Sequence, residues 1–551
     1  MKEMQKMKKT IIFTLALAAF VLAGCSDFLD VKTQGLYTTD NYFTNDQQSI
    51  DAVDKLYYYL EDENICSQDI HWDDCCTNQL VGVRSGDCSG WFNHFNLSFD
   101  GNIGTLPDYY KICYKYIAYS NWVVKSLLDK EATTTLTDVE YRSLGEAYFM
   151  RGFWHYLIAL RYGCKEQGVP FIQYENFDGD YDYSMPPQQA SVTDNYSYMI
   201  DDFTEAEARL GALSSYDAAN RGRACKESAV AMMARIYTYW ATFDSSKWDN
   251  VISCVDKLEN TYNRKLTSTF NELFTDEPSE YFSSEYCWGY PCTGYGNGGG
   301  IWFEEVCIAS GMLGFFDGWG EFNATADLYE AMLADGEDND RLKRSILTVG
   351  QTVNFEGEQV VVEPYYGDQS ETGFFINKWT DSFSHADAYG VYYTDTRVNC
   401  MYHFCRFADC LLYRAEAYLN KGNQAKAAED INKVRTRSGL SKVSGTWADL
   451  YHERFCELCF EGGSWFHEIK RWAVAGNSEI KALAIAELQS HPTTWHFELD
   501  GNGKYQVVSK GVPFALYQSS SKQWADYKFA LPYPTTEITN SNGAYKQNPG
   551  Y

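Results

Sequence analysis

Positive charge is scarce in this sequence. Its 46 lysine and arginine residues stand against 75 aspartate and glutamate residues, which gives a formal net charge of −29 at pH 7. Such an excess of carboxylates repels the phosphate backbones of DNA and RNA. We therefore expect no nucleic acid partner, and we expect the charge to keep the protein soluble in an aqueous compartment.

Long apolar runs are absent beyond residue 25, where no unbroken stretch reaches the roughly 20 residues of a membrane-spanning helix. The start of the chain differs. Four lysines in the first nine residues precede an apolar run at 11–22, and Leu22-Ala23-Gly24-Cys25 follows. This order of features is typical of a secretory signal. We predict that residues 1–24 are a signal peptide and that lipid on Cys25 anchors residues 25–551 to a membrane.

Common catalytic motifs are missing as well. The chain has no Gly-x-Ser-x-Gly and no His-Glu-x-x-His, and Gly298-Gly299-Gly300 lacks the Gly-Lys-Ser/Thr of a phosphate-binding loop. A glycoside hydrolase needs only two carboxylates about 5–10 Å apart, so the acidic residues keep that reaction open as the less favoured alternative. We predict a binding protein rather than an enzyme.

Metal-ligand patterns are weak, and we expect no cofactor. Cys287 and Cys292 are too far apart in the chain for a zinc-binding pair. The acidic loop at 178–182 alternates carboxylates, but Tyr183 replaces the glycine of an EF-hand loop and Gln189 replaces its last glutamate. A structural calcium ion is the alternative for this loop, which we otherwise interpret as a solvated acidic segment.

Cysteines are frequent, and they have two interpretations. Four of them fall inside helical patterns and are expected to be buried thiols, namely Cys113, Cys225, Cys254 and Cys410. Four others cluster near the start of the mature chain, where secretion would permit disulfides whose pairing the sequence does not define, namely Cys66, Cys75, Cys76 and Cys88.

Helix pairs separated by long loops dominate the rest of the pattern. Thr137 and Glu140 form a capping box that opens a helix running to Arg161. The clearest pair spans 408–437, where helices at 408–420 and 424–437 have small residues at their contacts, as in a tetratricopeptide-type repeat. Other helices are predicted at 41–60, 109–128, 195–210, 222–241, 248–259 and 446–472. The predicted fold class is mainly α, with helix pairs in a curved scaffold and long irregular loop insertions.

A series of short motifs runs through the whole mature chain. In order they are CSDFLD (25–30), GEAYFMRGF (145–153), GVP (168–170), GRA (222–224), RFADCLLYRAEAY (406–418), INKVR (431–435), ERFCE (453–457), FEG (460–462), WF (465–466), KRW (470–472) and QNPGY (547–551). Together they resemble the SusD/RagB family of outer-membrane nutrient-binding lipoproteins. Many members carry arginine where this chain has Gly463-Ser464 and aspartate where it has His467, positions that look structural.

The resemblance implies a fold, a location and a function. The fold is built on four tetratricopeptide-type pairs, with an N-terminal region at 25–270 and a C-terminal region at 271–551. The location is the outer face of the outer membrane, above a SusC-like TonB-dependent transporter. The function is the binding and delivery of oligosaccharide or polysaccharide, and capture of a peptide or glycopeptide is the alternative.

Two loops have the composition of a glycan site. Aromatic rings stack on the C–H faces of sugars, and polar side chains bond the hydroxyl edges. Turns that resemble those of glycan-binding members occur at Tyr295-Gly296 and Asp317-Gly318-Trp319. The predicted ligand-binding residues are Arg84, Trp91 and Asn93 in the first loop and Trp288, Tyr295 and Trp319 in the second.

Overall fold

The computed structural model describes residues 42–61, 69–83, 88–176, 185–275, 277–292, 321–355, 358–363, 372–379, 400–462, 465–514 and 521–551. The predictions for the signal peptide, Cys25, Cys66 and the acidic loop at 178–182 lie outside these ranges. Contacts divide the chain into residues 1–48 and 49–551. In the described part of the first unit, the Thr44 hydroxyl donates to the side chain of Gln48. The description below concerns the second unit.

Helices of eight or more residues provide most of the described structure. They are α1 (Asp46–Tyr57), α2 (Leu106–Glu131), α3 (Asp138–Tyr162), α4 (Val192–Arg209), α5 (Lys226–Ala241), α6 (Trp248–Asn260), α7 (Ala326–Ala334), α8 (Phe407–Asn420), α9 (Gln424–Arg437), α10 (Trp447–Glu457), α11 (Trp465–Ala473) and α12 (Ser478–Leu488). Shorter helices are Asp69–Asp74, Phe92–Phe95, Asp340–Ser345 and Thr535–Asn540.

Neighbouring helices pack in the order in which they occur in the chain. Each helix from α2 to α5 packs against the helix that follows it. Helix α8 then packs against α6, and α9 packs against α8. Ala415, Ala417 and Ala427 are fully buried, and Ala417 packs against Trp248 and Val251 of α6. This arrangement confirms the prediction of a mainly helical fold built from tetratricopeptide-type pairs.

Local signals explain where several helices begin. The Thr137 hydroxyl accepts from the backbone N–H of Glu140, and the Glu140 carboxylate accepts from the backbone N–H of Thr137, which confirms the predicted capping box at α3. Between α8 and α9, Gly422 has a φ of +72° and Asn423 caps the backbone N–H of Lys426. Glycine adopts this left-handed backbone without the strain that a side chain adds.

The described strands are short and form antiparallel pairs. The strands are β1 (Leu80–Gly82), β2 (Tyr286–Pro291), β3 (Phe322–Ala324), β4 (Ile346–Thr348), β5 (Thr352–Phe355), β6 (Glu358–Val361), β7 (Phe374–Ile376), β8 (Met401–Arg406), β9 (Thr493–Leu499) and β10 (Tyr505–Pro513). They pair as β1–β3, β2–β8, β4–β7, β5–β6 and β9–β10. In β1–β3, Val81 lies opposite Asn323.

The predicted buried cysteines are confirmed, with one of them only partly covered. Cys113, Cys225 and Cys410 are buried, and Cys254 is half-buried. Cys75 and Cys76 are free thiols, and burial raises the pKa of both. Across the described ranges, no helix has both the length and the apolar composition that crossing a membrane requires.

A network of fully buried charges links the C-terminal helices to the strands. The Arg406 guanidinium lies 2.7 Å from carboxylate oxygens of Glu285, Glu457 and Glu461. Lys378 Nζ lies 2.6 Å from Glu461 Oε1. We call these five residues the Arg406 network. Because charges are costly to bury unless they are paired and hydrogen-bonded, the network has to form as a unit.

Candidate functional site

The strand pair β1–β3 brings together the described ends of the two predicted ligand loops. The backbone N–H of Val83 donates to the backbone oxygen of Glu321 at 2.8 Å. The Cys88 thiol lies 3.9 Å from the same oxygen. Val83 and Cys88 flank residues 84–87 of the first loop, and Glu321 follows the second loop. The ends of residues 84–87 therefore lie next to the C-terminal end of the second loop, while Arg84, Tyr295 and Trp319 themselves lie outside the described residues.

Stacked aromatic rings lie beneath this point. Trp72 and Trp91 stack with centroids 4.9 Å apart and planes 9° apart, and Phe322 of β3 meets Trp72 edge-on at 4.7 Å. Phe95 stacks on the same indole at 5.8 Å. We call these four residues the Trp72 cluster. Buried ring pairs of this kind stabilise the fold by more than their buried area alone would, so the cluster stiffens the scaffold beside the β1–β3 strand pair.

Trp91 therefore has a role different from the predicted one. Its side chain is only 6% exposed and stacks inside the Trp72 cluster, so no ring face is available to a sugar. Asn93, two residues further on, is exposed, as the prediction requires of a polar ligand contact. The correction is physical: a tryptophan next to a loop can support the loop from below instead of forming its surface.

The prediction for Trp288 is also wrong. Trp288 lies in β2 opposite Cys405 and is fully buried. Its ring packs against Phe149 at 4.7 Å and Phe153 at 5.6 Å on α3, and against Phe404 at 6.0 Å on β8. These contacts make it part of the core between the helical layer and the strand pair, so it cannot contact a ligand.

A buried group of charged and ionisable side chains adjoins the Trp72 cluster. Asp73 accepts from Arg161 Nε at 2.7 Å, and its oxygens lie 3.1 Å from Nε2 of both His94 and His467. Lys470 is buried close by, where its charge acts on His467. We call these five residues the Asp73 cluster. The His94 ring meets Trp91 edge-on at 5.4 Å, so the two clusters support one another.

Burial and charge set the protonation of the Asp73 cluster. Burial alone would raise the pKa of Asp73, but Arg161 and the bonded histidines hold it well below its usual range. Burial lowers the pKa of His467 to about 3 and that of Lys470 to about 7. Lys470 Nζ donates to the backbone oxygen of Leu160 at 2.6 Å. Because Asp73 is bonded on all sides and fully buried, it has no access to a substrate.

A substitution at Gly104 tests how closely the Trp72 cluster is packed. Its φ is +49°, and an added Cβ would lie 2.2 Å from a ring carbon of Trp91. We expect Gly104→Ala to lower the free energy of unfolding by about 1–3 kcal/mol, measured by urea unfolding, through backbone strain and displacement of Trp91. Gly422→Ala is the matched control, because Gly422 has a similar φ but open space around it. Equal losses in the two variants would show that Trp91 does not constrain this position.

A second concave surface has aromatic walls. Tyr110, Tyr114, Lys115 and Tyr545 line a groove of about 370 Å³, and an adjoining groove of about 340 Å³ shares Tyr114 and Pro186 with it. The sequence analysis missed this groove. The i, i+4 spacing of Tyr110 and Tyr114 on α2 was the available signal, because that spacing places two side chains on one helix face.

Comparison with known proteins identifies the family. A model of the SusD family matches residues 268–551, and a model described as starch-binding and associating with the outer membrane matches residues 27–238. The first match alone covers more than half of the chain. The chain therefore belongs to the SusD family, as the motifs indicated.

Individual relatives are distant but align with most of the chain. A SusD-like protein of Formosa agariphila is 20% identical over 568 residues, which covers 90% of this chain and 99% of that protein. A SusD-like protein from Bacteroides fragilis has a TM-score of 0.71 at 20% identity and covers 93% of this chain and 98% of that one. Surface glycan-binding protein A from Bacteroides thetaiotaomicron, in complex with laminarihexaose, has a TM-score of 0.65 at 18% identity, with 91% and 99% covered. The last of these names describes a binding protein, in agreement with the prediction of a non-enzyme.

Proposed function

We propose that the protein binds oligosaccharide or polysaccharide outside the outer membrane and delivers it to a SusC-like TonB-dependent transporter. The observation that carries this proposal is the contact of Val83 and Cys88 with Glu321, which brings both ends of residues 84–87 next to the C-terminal end of the aromatic segment 293–320. Loops held by a rigid scaffold are where binding residues concentrate.

The relatives support a sugar as the ligand class. One structural neighbour is a laminarin-binding SusD-like protein, and another holds laminarihexaose. The matched family description associates starch binding with the outer membrane. Lipid on Cys25 would hold the protein at that membrane without a spanning helix. Arg84, Asn93, Tyr295 and Trp319 are the proposed contacts, since Trp91 and Trp288 are buried.

Binding without hydrolysis agrees with the chemistry of the described residues near the loops. Retaining and inverting glycosidases both need two carboxyl groups that face the scissile bond. Asp73 is buried and bonded to Arg161 and two histidines, and Asp74, its neighbour, accepts from the backbone N–H of Phe466 at 3.1 Å. Both carboxylates support the fold, and neither faces a ligand.

The test is a glycan panel against the lipid-free protein that starts at Ser26. We expect Trp319→Ala and Tyr295→Ala each to weaken binding of the recognised glycan at least tenfold, because each removes a stacking ring, and calorimetry measures the affinity. Tyr58→Ala is the matched control, since Tyr58 is 56% exposed and lies outside the proposed site.

A variant in the tyrosine-lined groove tests where the glycan binds, separately from whether it binds. Tyr545→Ala removes a ring from the tyrosine-lined groove. If Tyr545→Ala abolishes binding and Trp319→Ala does not, the protein binds glycan but at the groove. If no glycan in the panel binds and peptides do, the proposed ligand class is wrong.

A further inference from the structure

Three metal-ligating side chains converge away from the proposed glycan site. His452 and Cys456 are one turn apart on α10, and Asp335 caps the C-terminal end of α7. His452 Nε2 lies 2.9 Å from Asp335 Oδ2 and 3.9 Å from Cys456 Sγ. All three ligand atoms lie within 4.8 Å of one another. Residues four apart on a helix share one face, which explains why the imidazole and the thiol meet.

Two of the three separations are close to those around a tetrahedral zinc ion, and the third, between Asp335 and Cys456, is at most 4.8 Å. With Zn–N and Zn–O bonds of about 2.1 Å and a Zn–S bond of about 2.3 Å, neighbouring ligand atoms lie about 3.4–3.6 Å apart. The observed separations of 2.9 and 3.9 Å lie about 0.5 Å or less from those values. Side-chain rotation alone can supply adjustments of this size.

The same geometry argues against a catalytic triad. In a Cys-His-Asp triad, the acid bonds one ring nitrogen and the thiol bonds the other. Here Asp335 and Cys456 both approach Nε2 of His452. Three donor atoms within 4.8 Å of one another can share a metal ion, and imidazole, carboxylate and thiolate all suit Zn²⁺.

The surroundings orient the carboxylate and balance its neighbours. Arg341 and Arg435 each donate to Asp335 at 2.8 Å, one to each oxygen. Glu453 lies 2.7 Å from Arg341 and 2.9 Å from Arg435, so it compensates much of the guanidinium charge beside the ligand atoms. Groups that hold a ligand in place from behind commonly accompany protein metal sites.

Exposure differs among the three side chains. The His452 side chain is 30% exposed, that of Asp335 is 8% exposed, and Cys456 is buried. The imidazole is therefore the ligand that meets an ion from the solvent first, and the thiol binds on the protein side of the site.

We propose that Asp335, His452 and Cys456 bind a Zn²⁺ ion, with water as the fourth ligand. Cys456 binds as the thiolate and His452 binds through Nε2 as the neutral imidazole, and the protons that these two groups give up pass to the solvent. The ion joins the end of α7 to α10 as a structural link. This site is independent of glycan capture and requires no contact with the ligand.

The test uses the tag-free mature chain, dialysed against a chelator and then titrated with Zn²⁺ alone. We expect one Zn²⁺ per chain by calorimetry and by elemental analysis, and a rise in the unfolding midpoint with added Zn²⁺. His452→Gln and Cys456→Ser should each weaken binding at least tenfold and remove the rise. Replacing Zn²⁺ with Co²⁺ should give a thiolate-to-metal charge-transfer band that Cys456→Ser lacks.

Matched controls make the result decisive. His496 is exposed on β9 and Cys254 is half-buried on α6, so His496→Gln and Cys254→Ser should keep full Zn²⁺ binding. Circular dichroism before titration shows that each variant is folded. Absence of stoichiometric Zn²⁺ in the parent, or equal loss in the site and control variants, would overturn the proposal. Unchanged glycan affinity in Cys456→Ser would separate this result from the proposed function.

Discussion

Replacement of Arg406 by methionine should lower the free energy of unfolding by about 3–5 kcal/mol. The Arg406 guanidinium is fully buried and donates five hydrogen bonds to three glutamates. Four of these bonds go to carboxylate oxygens of Glu285, Glu457 and Glu461, and the fifth goes to the backbone oxygen of Glu457. Methionine has a similar volume, so little cavity forms. The loss comes from removing a counter-charge that Glu285, Glu457 and Glu461 share, so that within the described ranges these buried carboxylates keep only Arg437, Arg341 or Lys378 as cationic partners.

Urea unfolding followed by tryptophan fluorescence measures the loss. The positive charge of Arg406 and Lys378 overcomes the effect of burial and lowers the pKa of Glu461 to about 2, so this carboxylate is ionised at neutral pH. The control is Arg221→Met, which removes an exposed guanidinium and should change stability little. A loss below about 1 kcal/mol for Arg406→Met would mean that the remaining carboxylates find other partners or water.

The second large effect concerns pH. Burial, together with the charge on Lys470, lowers the pKa of His467 to about 3, although Asp73 opposes the shift. In the unfolded chain this histidine takes up a proton near pH 6.5. The unfolded state therefore binds more protons between pH 6.5 and 3, and stability falls as pH falls through that window, by about 1.4 kcal/mol per pH unit for this residue.

His467→Gln removes that titration and keeps a donor for Asp73. We expect the variant to be less stable than the parent at pH 7.5, but to lose about 2.5 kcal/mol less between pH 6.5 and 4.5. Urea unfolding at several pH values measures the difference. His496→Gln, on the exposed face of β9, should follow the parent at every pH. Parallel pH profiles for parent and His467→Gln would show that His467 is protonated in the folded protein.

Local sequence signals were sufficient for much of the scaffold. The capping box at Thr137 was recognised because its two partners are three residues apart in the chain, and α9 begins and ends where its pattern predicted. Helix α12 was missed. Its sequence is apolar on several faces, while only Ile480, Ala484, Glu487 and Leu488 are buried, so no single stripe marks it.

The site was harder to predict because it depends on tertiary contacts. Trp91 and Trp288 occur among glycine, polar and aromatic residues, as exposed ligand rings do. What buries them comes from distant parts of the chain. Trp72 covers Trp91, and Phe149, Phe153 and Phe404 surround Trp288. No local pattern in the sequence carries that information. By contrast, the regular spacing of aliphatic residues along a helix does predict which of them are buried.

The contact between Cys88 and Glu321 joins positions 233 residues apart in the chain. Ribosomes add about 5–20 residues per second, so the second position is made on the order of ten to fifty seconds after the first. During that time the nascent chain contains Cys88 but not Glu321. The proposed site is therefore complete only in the finished polypeptide, and a fragment released early in synthesis would lack one side of it.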